Sequence, residues 1–161
     1  MFKIIVVSDR IYDGRAKDVS GVLAEKIIVE AGYSVSKKVF VPNDYVMIMR
    51  AIMECVEEEP SIVIVIGGTG IGPRDISVDV VERLFEKELP GFGELFREFS
   101  TRLIGVSSWL SRATAGIIRN MLVAVVPGKP NAVELALKEL ILPEADHIIS
   151  MLKGLSHWDE K

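Results

Sequence analysis

The sequence is poor in the residue types that signal a disulfide scaffold, a thiolate metal cluster or a membrane segment. Only one cysteine, Cys55, stands among 161 residues. It excludes an internal disulfide and a thiolate cluster, and it fits a reducing cytoplasm. Its place inside a helical apolar pattern predicts a role in core packing. The opening run Phe2 to Val7 is interrupted by Lys3 and ends at Asp9-Arg10, too short for a signal peptide or a membrane span. No other segment reaches spanning length, so a soluble, cytoplasmic protein is expected. Positive charge is not in excess either: 19 Lys and Arg against 23 Asp and Glu leave a net charge of −4. No overall field draws the chain to nucleic acid or to anionic membranes. Any phosphate ligand must then be held by a local arrangement, which points to a small anionic substrate.

What is present suits one α/β domain over residues 1–154 with a short tail, 155–161. The chain is 49% hydrophobic and 26% charged, enough to bury a core unaided. Phe2 to Val7 reads as a buried strand, followed by a loop from Ile11 to Lys17. A helix is predicted over about Asp18 to Ala31, stopped by Gly32. Tyr33 to Val41 looks like a second strand of uncertain register. From Pro42-Asn43-Asp44 a helix starts, with Tyr45, Ile48, Met49, Ile52, Met53 and Val56 on one stripe. Glu57-Glu58-Glu59-Pro60 closes it, and three glutamates opposing the macrodipole predict a frayed, solvated end.

Ser61 to Ile66 and Met121 to Val126 are unbroken apolar runs, the mark of central parallel strands covered on both faces. Ser77 can cap a helix carrying Asp79, Val81, Leu84 and Phe85, and Pro90-Gly91-Phe92-Gly93 is expected to break it. A helix follows over about Glu94 to Thr101, and the segment from Ser107 to Arg119 has no clear assignment. Helices then recur around Val133 to Ile141 and Ala145 to Leu152. Strands alternating with helices imply a three-layer α/β/α arrangement around a mostly parallel sheet.

In such a sheet, ligands bind beyond the carboxyl ends of the strands. Three loops qualify: Ser8-Asp9-Arg10, Gly67 to Asp75, and Pro127-Gly128-Lys129-Pro130. If the strands are parallel, all three meet at one edge. The middle loop has four glycines in six residues, Gly67, Gly68, Gly70 and Gly72, which let the backbone approach a phosphate and turn several N–H groups toward it. Thr69 adds a hydroxyl. The other reading is a mobile turn that needs positive φ angles, but the buried strand before the loop and Arg74-Asp75 after it favour phosphate or nucleotide. The P-loop ending and the dinucleotide glycine spacing are both missing. Asp75 beside a phosphate would be unfavourable without a cation, and Mg²⁺ held by carboxylate, water and phosphate oxygens resolves this. A helix cap or an ion pair with Arg74 is the alternative. Ser107, Ser108, Ser111, Arg112, Thr114 and Gly116 form a second polar cluster, either a phosphate site or a plain loop.

These motifs, taken in order, resemble the molybdopterin-binding family of molybdenum cofactor biosynthesis, which includes molybdopterin adenylyltransferases, biosynthesis protein B and the gephyrin-type G domain. The resemblance runs from about Val6 to Gly154 and rests on Ser8-Asp9-Arg10, Asp18-Val19-Ser20-Gly21, Gly67-Gly68-Thr69-Gly70 through Pro73-Arg74-Asp75, Pro90-Gly91-Phe92-Gly93-Glu94, Ser111-Arg112-Ala113 and Pro127-Gly128-Lys129-Pro130. It implies a three-layer domain that assembles as a homotrimer or hexamer. It also implies a reaction that joins AMP from Mg-ATP to the terminal phosphate of molybdopterin and releases pyrophosphate. Carried over, Gly67, Gly68, Thr69 and Gly70, with Arg74, would hold nucleotide phosphate, and Asp75 would sit at the metal. Ser111 and Arg112 would lie on the molybdopterin side. Ser8, Asp9, Pro127, Gly128 and Lys129 would help form the pocket, with Asp18 and Ser20 as weaker candidates.

The chain departs from the family pattern at Asn43, where adenylyltransferases have an aspartate; Asp44 follows one position later and would substitute as catalytic and metal residue. Together with Ser77-Val78-Asp79 and the segment after Ser111, this looks more like the biosynthesis protein B branch, whose members are not all active. A molybdopterin carrier without transfer activity is therefore the runner-up. A scaffold role finds no support, since no linker or partner domain is seen. His147 is expected to be structural, and His157 and Trp158 to lie on a surface or subunit contact.

Overall fold

A computed structural model describes residues 1–155. The expected surface or subunit contact of His157 and Trp158 lies outside them. Six strands form one sheet in the order β2-β1-β3-β6-β5-β4. β1 (Phe2–Val7), β2 (Val39–Val41), β3 (Ile62–Ile66) and β6 (Met121–Val126) run parallel; β5 (Thr114–Ile118) and β4 (Lys87–Glu88) complete the edge antiparallel. β1, β3 and β6 are wholly buried, as the unbroken apolar runs of β3 and β6, and that of β1 apart from Lys3, require of strands covered on both faces.

Period-two alternation divides each strand between two cores. Ile4, Val6, Ile62, Ile64, Ala124 and Val126 face one layer. That layer contains α2 (Ser20–Glu30), α5 (Pro90–Ile104), α6 (Pro130–Leu135) and α7 (Ala145–Leu152). Ile5, Val7, Val63, Val65, Val123 and Val125 face α3 (Tyr45–Glu58) and α4 (Ser77–Glu82). Cys55 is buried in this second core.

Several elements differ from the sequence expectations. Asp9–Tyr12 is a short helix, α1, rather than open loop, because the Ser8 hydroxyl accepts the Ile11 N–H and caps it. Most of the expected second strand is irregular; only Phe2–Val35 bridges before Val39, where Lys38 turns to the carboxylates of Asp18 and Glu25 and Lys37 is exposed. Pro90 starts α5 rather than breaking a helix: at the first helical position its missing N–H costs nothing. Ser77 is not a cap but the first residue of α4, preceded by Ile76. The unassigned stretch contains a 3₁₀ turn, Gly105–Leu110, and then β5. The end of α3 is not simply solvated. Glu58 pairs with Lys3 at 2.7 Å, because an ammonium buried to 4% exposure needs a counter-charge.

Candidate functional site at the carboxyl rim of the sheet

Chain order reverses between β1 and β3: from β1 the chain steps outward to β2, then returns to the other side of β1. A crevice opens where successive connections leave in opposite directions, and ligands of open α/β sheets bind there. Ser8, Gly67, Gly68, Gly128 and Pro130 line one cavity of about 540 Å³ at this point. The loops after β1, β3 and β6 therefore meet, as parallel neighbours require.

Glycine is needed at the end of β3 for two separate reasons. Gly67 has φ +108, and a Cβ there would lie 2.3 Å from the Val7 carbonyl oxygen. Gly68 has φ +71, and its Cβ would lie 2.2 Å from Ser77 Oγ and 3.2 Å from Asn43 Oδ1. Both of those oxygens are buried without a hydrogen-bond partner. The chain beyond Gly68 closes on itself. Asp75 N–H donates to the Gly72 carbonyl at 3.0 Å, and Asp75 Oδ2 accepts the Gly72 N–H at 2.9 Å.

Asp75 and Asn43 line the 540 Å³ cavity together with Asp18. Asp44 is not among its lining residues; its carboxylate caps α3 by accepting the Met47 N–H at 2.9 Å. Arg74 turns away from Asp75 and grips Asp9. Asp9 also accepts the Asn43 N–H at 2.8 Å. That backbone donor, and then the guanidinium, hold the Asp9 carboxyl below the usual range. Asp9 therefore ties three loops together. Asp18 Oδ1 accepts the Gly21 N–H, and its carboxylate lies 3.4 Å from Lys38. Ser20 donates to the Gly128 carbonyl at 2.7 Å and so fixes the third loop.

A second cavity of about 210 Å³ lies across the glycine loop. Thr69, Gly70, Ser111, Pro127 and Lys129 line it, with Phe96, Leu103 and Leu110 supplying an apolar wall. Ser111 and Arg112 part company here. Arg112 is not among the lining residues; its Nε donates to the Gly70 carbonyl at 2.9 Å and its Nη2 to the Asp75 carbonyl at 2.7 Å. Its Nη1 donates to both Asp79 oxygens, at 2.9 and 3.0 Å. These bonds pull the Asp79 carboxyl below the usual range and raise the guanidinium.

Sequence reasoning missed Arg97, whose Nη1 donates to the Ser111 and Ala113 carbonyls at 3.3 and 3.1 Å and braces the Ser111 turn. The available signal was Gly93, one helical turn before it. A Cβ at Gly93 would meet the Ala113 oxygen at 2.7 Å, so that glycine lets α5 lie against the turn.

Among the described residues no group of three or more His, Cys, Asp or Glu could hold a metal ion, and no helix is long and apolar enough to cross a membrane. Asp75 and Asn43 are side chains in the larger cavity that could give a cation oxygens, and phosphate and water would have to supply the rest. Magnesium is commonly bound in that way, through one or two protein oxygens, water and substrate.

Comparison with known proteins agrees with this architecture. The family described as "Probable molybdopterin binding domain" matches residues 3–147. Molybdenum cofactor biosynthesis protein B of Bacillus subtilis (strain 168) is 39% identical over 153 residues, 94% of this chain and 89% of that protein. Its Bacillus cereus counterpart is 40% identical over 148 residues, covering 91% and 86%. The crystal structure of a tungsten cofactor synthesizing protein from Pyrococcus furiosus superposes with a TM-score of 0.88 at 36% identity, covering 94% of this chain and 96% of that one. With the sheet order, the glycine-opened rim and these likenesses in agreement, the chain belongs to the molybdopterin-binding family of molybdenum cofactor biosynthesis, alongside biosynthesis protein B.

Proposed function

We propose that the chain transfers the AMP group of ATP to the terminal phosphate of molybdopterin, with Mg²⁺ as cofactor, and releases pyrophosphate. The observation that carries this reading is the pair of cavities on either side of one glycine loop. Gly67, Gly68 and Asp75 line the larger, and Thr69 and Gly70 the smaller. Two anionic reactants laid in these cavities would meet at the loop. The larger suits the triphosphate, and the smaller, walled by Phe96 and Leu110, suits the flat pterin. A pterin phosphate oxygen then attacks the α-phosphorus, the bond to the β-phosphate bridge breaks, and pyrophosphate leaves with the electron pair. Alignment and charge stabilisation are the protein's main contributions to such a step.

The residues fit the cation. Asp75 commits only Oδ2 to the turn, and Asn43 Oδ1 is buried and unpartnered. When bound, Mg²⁺ offsets the charge of the triphosphate and of the departing pyrophosphate. Backbone N–H groups of Gly68, Thr69 and Gly70 orient the phosphates, while Gly67, whose N–H donates to the Val126 carbonyl, lets the backbone pass close; Ser111 and Lys129 hold the pterin phosphate, and Arg74 keeps the loop against Asp9. Asp44 takes part only indirectly, by capping α3 and so holding the chain next to Asn43. Family likeness further suggests a homotrimer or hexamer acting in the cytoplasm, and exposed Leu103, Ile104, Val106 and Trp109 offer apolar area for a contact to bury. Sedimentation equilibrium gives the mass that tests it.

The decisive experiment incubates the protein with molybdopterin, ATP and Mg²⁺ and detects adenylylated pterin by mass spectrometry; Asp75→Ala should abolish it. A second reading, a molybdopterin carrier, is favoured by one observation: a neutral amide, Asn43, stands at the rim where a second carboxylate would strengthen metal binding. Tight pterin binding with no AMP transfer, and no effect of Asp75→Ala on that binding, would establish the carrier.

A further inference from the structure

Arg112 follows Ser111 in the chain but is not among the residues lining the pterin-sized cavity. Four of its guanidinium hydrogen bonds are directed at the loop and at α4. The backbone N–H donates to the Thr69 carbonyl at 3.0 Å. Its guanidinium spans the Gly70 carbonyl, the Asp75 carbonyl and both oxygens of Asp79. We propose that Arg112, anchored by Asp79, is a positioning residue that fixes where the Asp75 carboxylate stands, and is not itself a ligand for the substrate phosphate. The proposal rests on the AMP-transfer reading above and names a further pair of residues for that reaction.

The stretch from Gly70 to Asp75 contains two glycines, and glycine gives a chain more freedom than any other residue. Left alone, such a loop would not hold a carboxylate still. Here one planar group bonds the carbonyls at both ends of the stretch, so the separation of Gly70 and Asp75 is set by the rigid guanidinium fork. Inside the clasp, Gly72 N–H holds Asp75 Oδ2 at 2.9 Å. Asp79 supplies the counter-charge and keeps the guanidinium flat against the loop. A cation already matched by two carboxylate oxygens has little charge left for a phosphate. Lysine could not replace it, because a point charge on a flexible stem cannot meet three acceptors in one plane.

The test compares Arg112→Lys, Asp79→Asn and Asp79→Glu with the parent. Three readouts are needed: steady-state AMP transfer, molybdopterin affinity without ATP, and amide exchange across residues 70–75. Positioning predicts that Arg112→Lys and Asp79→Asn lower kcat by roughly 10- to 100-fold, the range for groups that support a metal-binding residue. Pterin affinity should stay unchanged, and exchange should rise in residues 70–75 but not in β3 or β6. Asp79→Glu, which keeps a carboxylate within reach, should recover most of the rate. Loss of pterin affinity in Arg112→Lys with no effect of Asp79→Asn would overturn the proposal and make Arg112 a direct ligand. Should the parent transfer no AMP, the transfer reading falls. The positioning claim is then judged on Mn²⁺ titration in the presence of ATP together with the exchange pattern, and identical results for Asp79→Asn and the parent would overturn it.

Discussion

Arg74 holds both oxygens of Asp9, with contacts of 2.9 and 3.0 Å, and thereby ties the glycine loop after β3 to the turn after β1. The same carboxylate accepts the Asn43 N–H, so one acid organises three connections at the rim. The two sides of the pair should not be equal in value. The Arg74 side chain is 66% exposed, and exposed pairs contribute about 0.2–1 kcal/mol. Removing Asp9 also strands a backbone donor, which costs about 1–3 kcal/mol. Urea denaturation should therefore show Asp9→Ala to be more destabilising than Arg74→Ala; equal losses would mean that the Asn43 bond contributes nothing.

Asp9 and Asp79 together set an acid limb of stability. Both carboxyls are held below their ordinary value, Asp9 by the Asn43 N–H and then Arg74, Asp79 by Arg112. The folded chain therefore binds protons at these sites less readily than the unfolded chain. Their contribution is present in full above the unfolded value of about 3.9 and is lost as pH falls below it through the lower folded values. Urea midpoints measured from pH 6 downward should decline in this window for the parent. They should decline less for the Asp9→Asn, Asp79→Asn double variant, and parallel curves would refute the assignment.

The apolar runs of β1, β3 and β6 and the stripe of α3 were readable because burial on two faces, or on one stripe, leaves a periodic record. The rim was readable for the same reason: parallel strands must deliver their loops to one edge. Partner choice left no such record. Arg74 and Asp75 are adjacent in sequence, yet Arg74 reaches Asp9, 65 residues away. Arg112 sits among hydroxyls that suggest a phosphate site but spends its donors on two carbonyls and Asp79. Pro90 has the same local chemistry whether it ends one helix or begins another, and only the helix that follows decides. The two-residue β4 exists solely because β5 lies beside it, which no local pattern encodes.

Three glycines separate backbone strain from site geometry. Gly68→Ala must adopt φ +71 against Ser77 Oγ, and a non-glycine residue held there costs about 1–3 kcal/mol before any clash is added. Gly70→Ala carries no positive φ, but its Cβ would meet Asp75 Oδ2 at 2.6 Å, so the carboxylate must move. It should melt near the parent while AMP transfer falls by roughly 10-fold or more. Gly91 has open space within α5, and Gly91→Ala should stabilise by about 0.4–1 kcal/mol. Calorimetry and the transfer assay check all three. Parental rates in Gly70→Ala would remove Asp75 placement from the mechanism.

At the opposite end of the sheet, Lys3, Glu58 and Cys55 form a group with no part in the site. Lys3 is buried and Glu58 is 42% exposed along its side chain, so solvent screens the pair from one side. Glu58→Ala leaves the ammonium buried without its partner and should cost about 1–3 kcal/mol, below the 3–5 of a fully buried pair. Lys3→Met fills the same space without a charge and should be close to neutral. Cys55 reports on both variants: burial pushes its thiol up to about 11. Only the thiolate is nucleophilic, so at pH 8 an alkylating agent should label the native chain only through molecules that open. Labelling rates followed by mass spectrometry should rise in Glu58→Ala in proportion to its lost stability and stay at the parental level in Lys3→Met. Fast labelling of the folded parent would show that the thiol is reached without unfolding.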